Sequence, residues 1–322
     1  MAKAIGYATS EKRRRRATPR TRCTLIGGLR AGRLLQRARK SAACDRVGDH
    51  HSSTFALRPP VPRIMLRVFF VIFLFCADAV AQTAAFTMDT VATVVVGHSI
   101  RVDIYRPAAG AVDGVAIVAH GFTRSRARHR ELGRALASAG MTAIIPDLPN
   151  VLDHWGNGDA ILELAHRLEV GEFGLPPIPR SRLVLIGTSA GGLATVLAAA
   201  ELPGLAGWVG LDPVDRTGTG VRAASRLNAP AVVLLAERSS CNLYGSGRSF
   251  ADAAPGLVRS TLLRGASHCD FEGPTNKLCR VVCGESSSEM HAIAQEQTVN
   301  AVVQMLQLHD AERVRGLMPL PN

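Results

Sequence analysis

Over most of its length this chain lacks net charge. Residues 1–81 hold 17 of the 38 Lys and Arg but only 4 of the 26 Asp and Glu, a balance of +13, which leaves −1 for residues 82–322. The overall formal charge of +12 therefore does not describe the body of the protein, where no nucleic-acid-binding surface is expected. Long apolar runs are scarce as well. The run Val68 to Cys76 falls well short of the roughly 20 residues that a stable membrane span needs. Cysteine is sparse, with four of the seven beyond residue 81, at Cys241, Cys269, Cys279 and Cys283. The C-x₃-C spacing without a nearby pair of histidines is not that of a zinc site, so no metal is expected. There are no internal repeats and no sign of a second domain.

The N-terminal quarter is a separate matter. Lys12 to Arg16 is a run of cations, and scattered arginines with little apolar periodicity follow up to Pro62; such a segment cannot bury enough surface to fold alone. Met65-Leu-Arg67, the apolar run to Cys76, and Ala79-Val80-Ala81 before Gln82 are the three parts of a secretory signal peptide over residues 65–81. Met65 is placed to be its initiator, which would make residues 1–64 an over-extended reading frame; the competing reading is a basic arm that binds nucleic acid or acidic lipid. A lipidated Cys76 is disfavoured by Phe75 before it. Secretion or a periplasmic location agrees with an even number of cysteines in the remaining chain, which suggests two disulfides. Of the three possible pairings, Cys241 with Cys269 and Cys279 with Cys283 is the one expected.

Residues 82–322 are enough for one large α/β domain. Apolar runs recur at Val91 to Val96, Ile100 to Tyr105, Val115 to Ala119, Thr142 to Ile145, Leu183 to Ile186, Trp208 to Leu211, Ala231 to Ala236 and Val258 to Leu263. The first two, separated by Gly97-His98-Ser99, read as an antiparallel hairpin. From Val115 onward the runs are nearly continuous, as in parallel strands buried on both faces. Helical patterns over Arg130 to Ala139, Asp159 to Val170, Gly191 to Leu202 and Met290 to Leu308 alternate with them, which predicts a mostly parallel sheet of about eight strands with helices on both faces.

The chemistry centres on Leu183 to Leu193, where an apolar strand runs into Gly187-Thr188-Ser189-Ala190-Gly191 and a helical pattern follows. A nucleophile on a strained strand-to-helix turn needs neighbours without Cβ atoms two positions to either side. A serine hydroxyl also needs a base, and the base an orienting acid. After Ser189 the histidines are His268, His291 and His309; His268 lies on a loop beyond the last strand run, while the other two fall in the terminal helical pattern and are expected at the surface. The acid is Asp212 or Glu237, each ending a strand, with Asp215 a third choice. The loop Val118-Ala-His120-Gly121-Phe122-Thr123 supplies a second oxyanion donor, the Phe122 N–H, beside that of Ala190. Gly121 lets the backbone come close, and Trp155 is a candidate wall of the substrate cleft. His120 reads as a brace for the loop, Asp147 as a turn acceptor, and the alternating Arg124, Arg126, Arg128 and Arg130 as a solvated stretch, the alternative being a run that meets an acidic substrate.

His120-Gly121-Phe122, Gly187-Thr188-Ser189-Ala190-Gly191-Gly192 and His268, in this order, resemble the α/β-hydrolase superfamily over nearly all of residues 88–310. Leu211-Asp212-Pro213-Val214-Asp215 and Ala266-Ser267-His268-Cys269-Asp270 are most similar to the chlorophyllase-like and lipase-like esterases, which favours Asp212 over Glu237. Chlorophyllases carry arginine after the serine where this chain has Ala190. The resemblance implies the α/β-hydrolase fold and a serine hydrolase that cleaves a carboxylic ester, a small-molecule or lipid-like substrate, through Ser189, His268 and Asp212; no cofactor is implied, and a monomer is expected. An acyltransferase, thioesterase or peptidase would use the same triad, and a non-catalytic binding protein of this fold would show it broken.

Overall fold

The computed structural model describes residues 86–108, 114–273 and 277–314; the basic segment, Met65 and the signal sequence lie outside them. Eight strands are present: β1 (Phe86–Val95), β2 (His98–Pro107), β3 (Val115–Ala119), β4 (Thr142–Pro146), β5 (Leu183–Thr188), β6 (Gly207–Leu211), β7 (Ala231–Leu235) and β8 (Leu257–Leu262). They form one sheet in the order β1-β2-β4-β3-β5-β6-β7-β8. β1 pairs antiparallel with β2, and β2 antiparallel with β4; every other neighbouring pair is parallel. The hairpin turns at Val96 and Gly97, both with positive φ, the geometry that matches the twist of the flanking strands. β1 starts five residues before its apolar pattern, at Phe86. Thr87 to Thr90 are exposed, so this half is held by the ladder to β2 and by Phe86 packed against Tyr105.

The helices are α1 (Arg130–Ser138), α2 (His154–Glu169), α3 (Ala190–Ala199), α4 (Thr219–Ala224), α5 (Gly247–Ala253), α6 (Lys277–Cys283) and α7 (Ser288–Val314). The short α4, α5 and α6 escape the sequence pattern because one or two turns do not show a helical period. α2 begins five residues earlier than expected, at His154, where the Asp153 carboxylate accepts from the Gly156 amide at 2.9 Å and caps it.

Alternate residues of the parallel strands feed two core layers. Ile117, Leu185, Trp208 and Val233 pack with Ile161, Leu164, Val196 and Phe250 on the side of α2 to α5. Val118, Ile186, Val209 and Leu234 pack with Leu136, Ala301, Val302 and Met305 on the side of α1 and α7. His309, expected at the surface, is buried in that second layer, with Nε2 3.3 Å from the Leu205 carbonyl. His291 is half-buried: its Nδ1 lies 2.7 Å from the Asp270 carbonyl and its Nε2 2.9 Å from Glu131. Both corrections have one cause, for α7 lies along the sheet and turns these positions inward. No helix of the described residues is long and apolar enough to cross a membrane.

Candidate active site

β5 is buried throughout and delivers the chain to Ser189, whose φ of 55° and ψ of −119° place it in a region that non-glycine residues rarely enter. The turn is held by β6 and the segment after it: the Ser189 amide donates to Leu211 O at 3.0 Å, and Ser189 O accepts from the Val214 amide at 3.2 Å. The two flanking glycines are explained by close approach. A Cβ at Gly187 would sit 2.3 Å from the Gly191 carbonyl oxygen, and one at Gly191 would sit 2.4 Å from that of Ala119. Backbone on each side cannot yield cheaply, so Gly191→Ala is expected to destabilise the fold by about 3 kcal/mol or more; a thermal unfolding midpoint equal to that of the wild type would contradict this packing. Ala190 is the first residue of α3, so its N–H has no acceptor within the helix and points out of the helix end with the positive pole of the dipole.

His268 opens a short 3₁₀ turn, His268–Phe271, beyond β8. Its Nδ1 lies 2.6 Å from Oδ2 of Asp212, which follows β6, is fully buried and itself has a positive φ of 44°. The carboxylate favours the proton on Nδ1 and leaves Nε2 as an acceptor. Asp212 is further satisfied by Nδ2 of Asn242, donating to Oδ2 at 2.9 Å, and by the Ala236 amide, donating to Oδ1 at 3.1 Å. Asn242 is fully buried and is fixed in turn, since its Oδ1 accepts from the Ser239 and Gly245 amides at 2.9 and 3.0 Å.

The other two candidate acids lie elsewhere. The Glu237 side chain is exposed and accepts from the Gly265 amide at 3.3 Å, while its carbonyl accepts from Asn242 at 2.8 Å. Asp215 accepts from the amides of Thr217, Gly218, Gly220 and Val221 where α4 begins. Partial burial works against its charge, but those amides prevail and hold the carboxyl below its usual range.

The loop after β3 is braced from below. His120 Nε2 accepts from the Leu148 amide at 3.0 Å, which puts the ring proton on Nδ1, where it donates to Gly121 O at 2.9 Å. Burial lowers the affinity of this imidazole for a second proton. The Arg124 amide closes the turn on Gly121 O at 3.1 Å. Ser189, His268, Gly121 and Phe122 line one cleft of about 470 Å³, with Arg124, Arg128 and Glu272 on its walls. Phe122 is half exposed there, whereas Trp155, 58% exposed on the first turn of α2, is not among the lining residues. The arginine run is not merely solvated: Arg126 Nε bonds to Asp103 at 2.8 Å, and its Nη1 to Asp147 at 2.5 Å. Asp147 also accepts from the Arg126 amide at 2.9 Å, as a turn acceptor would.

The disulfide pairing differs from the expected one. Cys241 pairs with Cys283, and Cys269 with Cys279. Cys279 and Cys283 lie one turn apart on α6 and so face the same side, where each meets a cysteine from a different loop. The sulfur atoms of Cys269, Cys279 and Cys283 lie within 4.8 Å of one another. That would suit a metal if they were thiolates, but all three are committed to disulfides. Asn242, His129 and Glu272 are the site-supporting residues that sequence reasoning missed. For Glu272 a signal existed, four residues beyond His268; for Asn242 and His129 only the folded chain shows one.

No protein-family profile and no curated protein sequence matches this chain. Solved structures do. A dienelactone hydrolase from Anabaena variabilis ATCC 29413 superposes with a TM-score of 0.52 at 20% identity, over 66% of this chain and 95% of that one. Esterase Est22 does so with a TM-score of 0.50 at 14% identity, over 77% of this chain and 88% of that one. The chain has the α/β-hydrolase fold. In an α/β-hydrolase sheet the turn between a central strand and the next helix presents its side chain at the carboxyl edge, and here that side chain is Ser189. Asp212 after β6 and His268 after β8 keep the chain order serine, acid, histidine that goes with this fold.

Proposed function

We propose that the protein is a serine hydrolase that cleaves carboxylic esters through an acyl-enzyme. The observation that carries the reading is the convergence of Ser189, on its strained elbow, with His268, hydrogen-bonded to a buried Asp212, on one cleft. Ser189 Oγ attacks the ester carbonyl while His268 Nε2 takes its proton, and the imidazolium is stabilised by Asp212. The carbonyl oxygen, now an oxyanion, is met by the N–H groups of Phe122 and Ala190. The tetrahedral carbon then expels the alkoxide, which leaves as alcohol with the proton from His268. Water, deprotonated by the same histidine, attacks the acyl carbon and releases the carboxylic acid and free Ser189.

The names of the two neighbours, a dienelactone hydrolase and an esterase, support this class of reaction. Two disulfides fit an oxidising compartment, in keeping with export directed by residues 65–81. A fluorophosphonate probe is expected to label the protein once per chain at Ser189, and Ser189→Ala is expected to lose both the label and turnover of p-nitrophenyl esters. Comparable turnover by wild type and Ser189→Ala would end the reading.

A further inference from the structure

A second carboxylate stands in the cleft without a part in the reaction just described. Glu272 is 7% exposed and follows the 3₁₀ turn that carries His268, yet its side chain reaches the opposite wall. Its Oε1 accepts from the Gly121 amide at 2.5 Å. The His129 Nε2 lies 3.4 Å from the same oxygen, and the Arg124 Nε lies 3.5 Å from Oε2. His129 also stands 3.4 Å from the Thr188 hydroxyl, at the residue before the nucleophile. The spacing is tight: a Cβ on Gly121 would lie 3.2 Å from Ser189 Cβ and 3.3 Å from Glu272 Oε1. The serine, the Gly121 backbone and the carboxylate are therefore stacked in contact.

We propose that Glu272 is a positioning residue for the oxyanion loop. Its carboxylate pins the Gly121 amide so that the next amide, that of Phe122, faces the carbonyl oxygen of an ester at Ser189. The inference rests on the serine-hydrolase reading above. The peptide plane between Gly121 and Phe122 can turn about the Gly121 bonds, and glycine opposes such turning less than any other residue. What stops it is the pair of anchors on Gly121: its N–H to Glu272, and its carbonyl to His120 and the Arg124 amide. The carboxylate is itself held in place, by His129 beside Oε1 and Arg124 beside Oε2. Burial alone would raise its pKa, but the bond to His129, followed by that from Gly121, brings it below the usual carboxylate range. Since Glu272 also belongs to the segment of His268, the base and the oxyanion donors share one mechanical support.

The test compares wild type with Glu272→Gln and Glu272→Asp, with intact sites counted by fluorophosphonate titration and kcat expressed per titratable serine. Gln keeps an acceptor oxygen at the same reach, and its kcat per site is expected within about tenfold of wild type. Asp keeps the charge but withdraws it by one methylene, and its kcat per site is expected to fall by about 10²-fold, comparable to the loss of one oxyanion donor, with KM within about twofold. Glu272→Ala should match Asp or be worse. Full kcat per site in Asp, or a loss confined to the number of titratable sites and the melting temperature, would overturn the proposal. Absence of a titratable serine in the wild type would instead refute the serine-hydrolase reading.

Discussion

Asp212→Asn is expected to lower kcat for ester hydrolysis by about 10⁴-fold, while Glu237→Gln leaves it within about twofold. Asparagine has the shape of aspartate and keeps an oxygen for the Ala236 amide, at the cost of the bond from Asn242, so the fold should survive. It does, however, bring an NH₂ donor to a buried position whose partner, His268 Nδ1, lies 2.6 Å away. The imidazole is then driven to the tautomer with the proton on Nε2, which cannot take a proton from Ser189. Glu237, exposed and accepting from the Gly265 amide through its side chain, supports Asp212 through its carbonyl on Asn242, which the glutamine variant retains. Steady-state kinetics on the two variants, with unfolding curves to confirm that both are folded, decides the matter. A reversed outcome, with Glu237→Gln inactive and Asp212→Asn active, would transfer the acid's role to Glu237.

Reduction of the disulfides should cost the protein both stability and geometry. Cys241 precedes Asn242, whose side chain bonds to Asp212, and Cys269 follows His268. Both partners lie on α6, so this short helix clamps the support of Asp212 and the loop of His268 together. The bridges span separations of 42 and 10 residues, for which loop-closure entropy gives about 4 and about 3 kcal/mol. Removing the 10-residue bridge with Cys269→Ser/Cys279→Ser should lower the melting temperature by about 10 °C. It should also reduce activity at temperatures where the variant is still folded, because His268 loses its neighbour's tether. Cys241→Ser/Cys283→Ser is expected to act more on stability than on kcat. Peptide mapping without reductant checks the pairing, and a protein that keeps its melting temperature and kcat in excess reductant would refute the clamp.

Much of the architecture can be read locally. β3 to β7 are buried on both faces and are written as short apolar runs, while the more exposed β1, β2 and β8 keep enough apolar residues to be recognised, so all eight appear in the sequence; the G-x-S-x-G spacing records contacts of Gly187 and Gly191 with backbone that no side chain could share. The one- and two-turn helices α4, α5 and α6 are not legible, since helices of 6 or 7 residues carry no period to detect. The inward faces of His291 and His309 are also hidden, because the 27 residues of α7 have almost no amphipathic contrast to say which side meets the sheet.

For the site, local sequence was enough to locate the strand-turn-helix that carries Ser189, the glycine-bearing loop after β3, and a short set of histidines and acids from which the partners must come. Those are properties of neighbours along the chain, set by sterics and burial period. Only the tertiary structure decided that Asp212 and not Glu237 meets His268, that Asn242 holds that acid, that Cys283 crosses to Cys241, and that Glu272 reaches back to Gly121. Each of these joins residues from separate loops gathered at the carboxyl edge of one sheet. Which of them touch depends on strand order, loop path and side-chain reach, quantities that no local pattern of residues encodes.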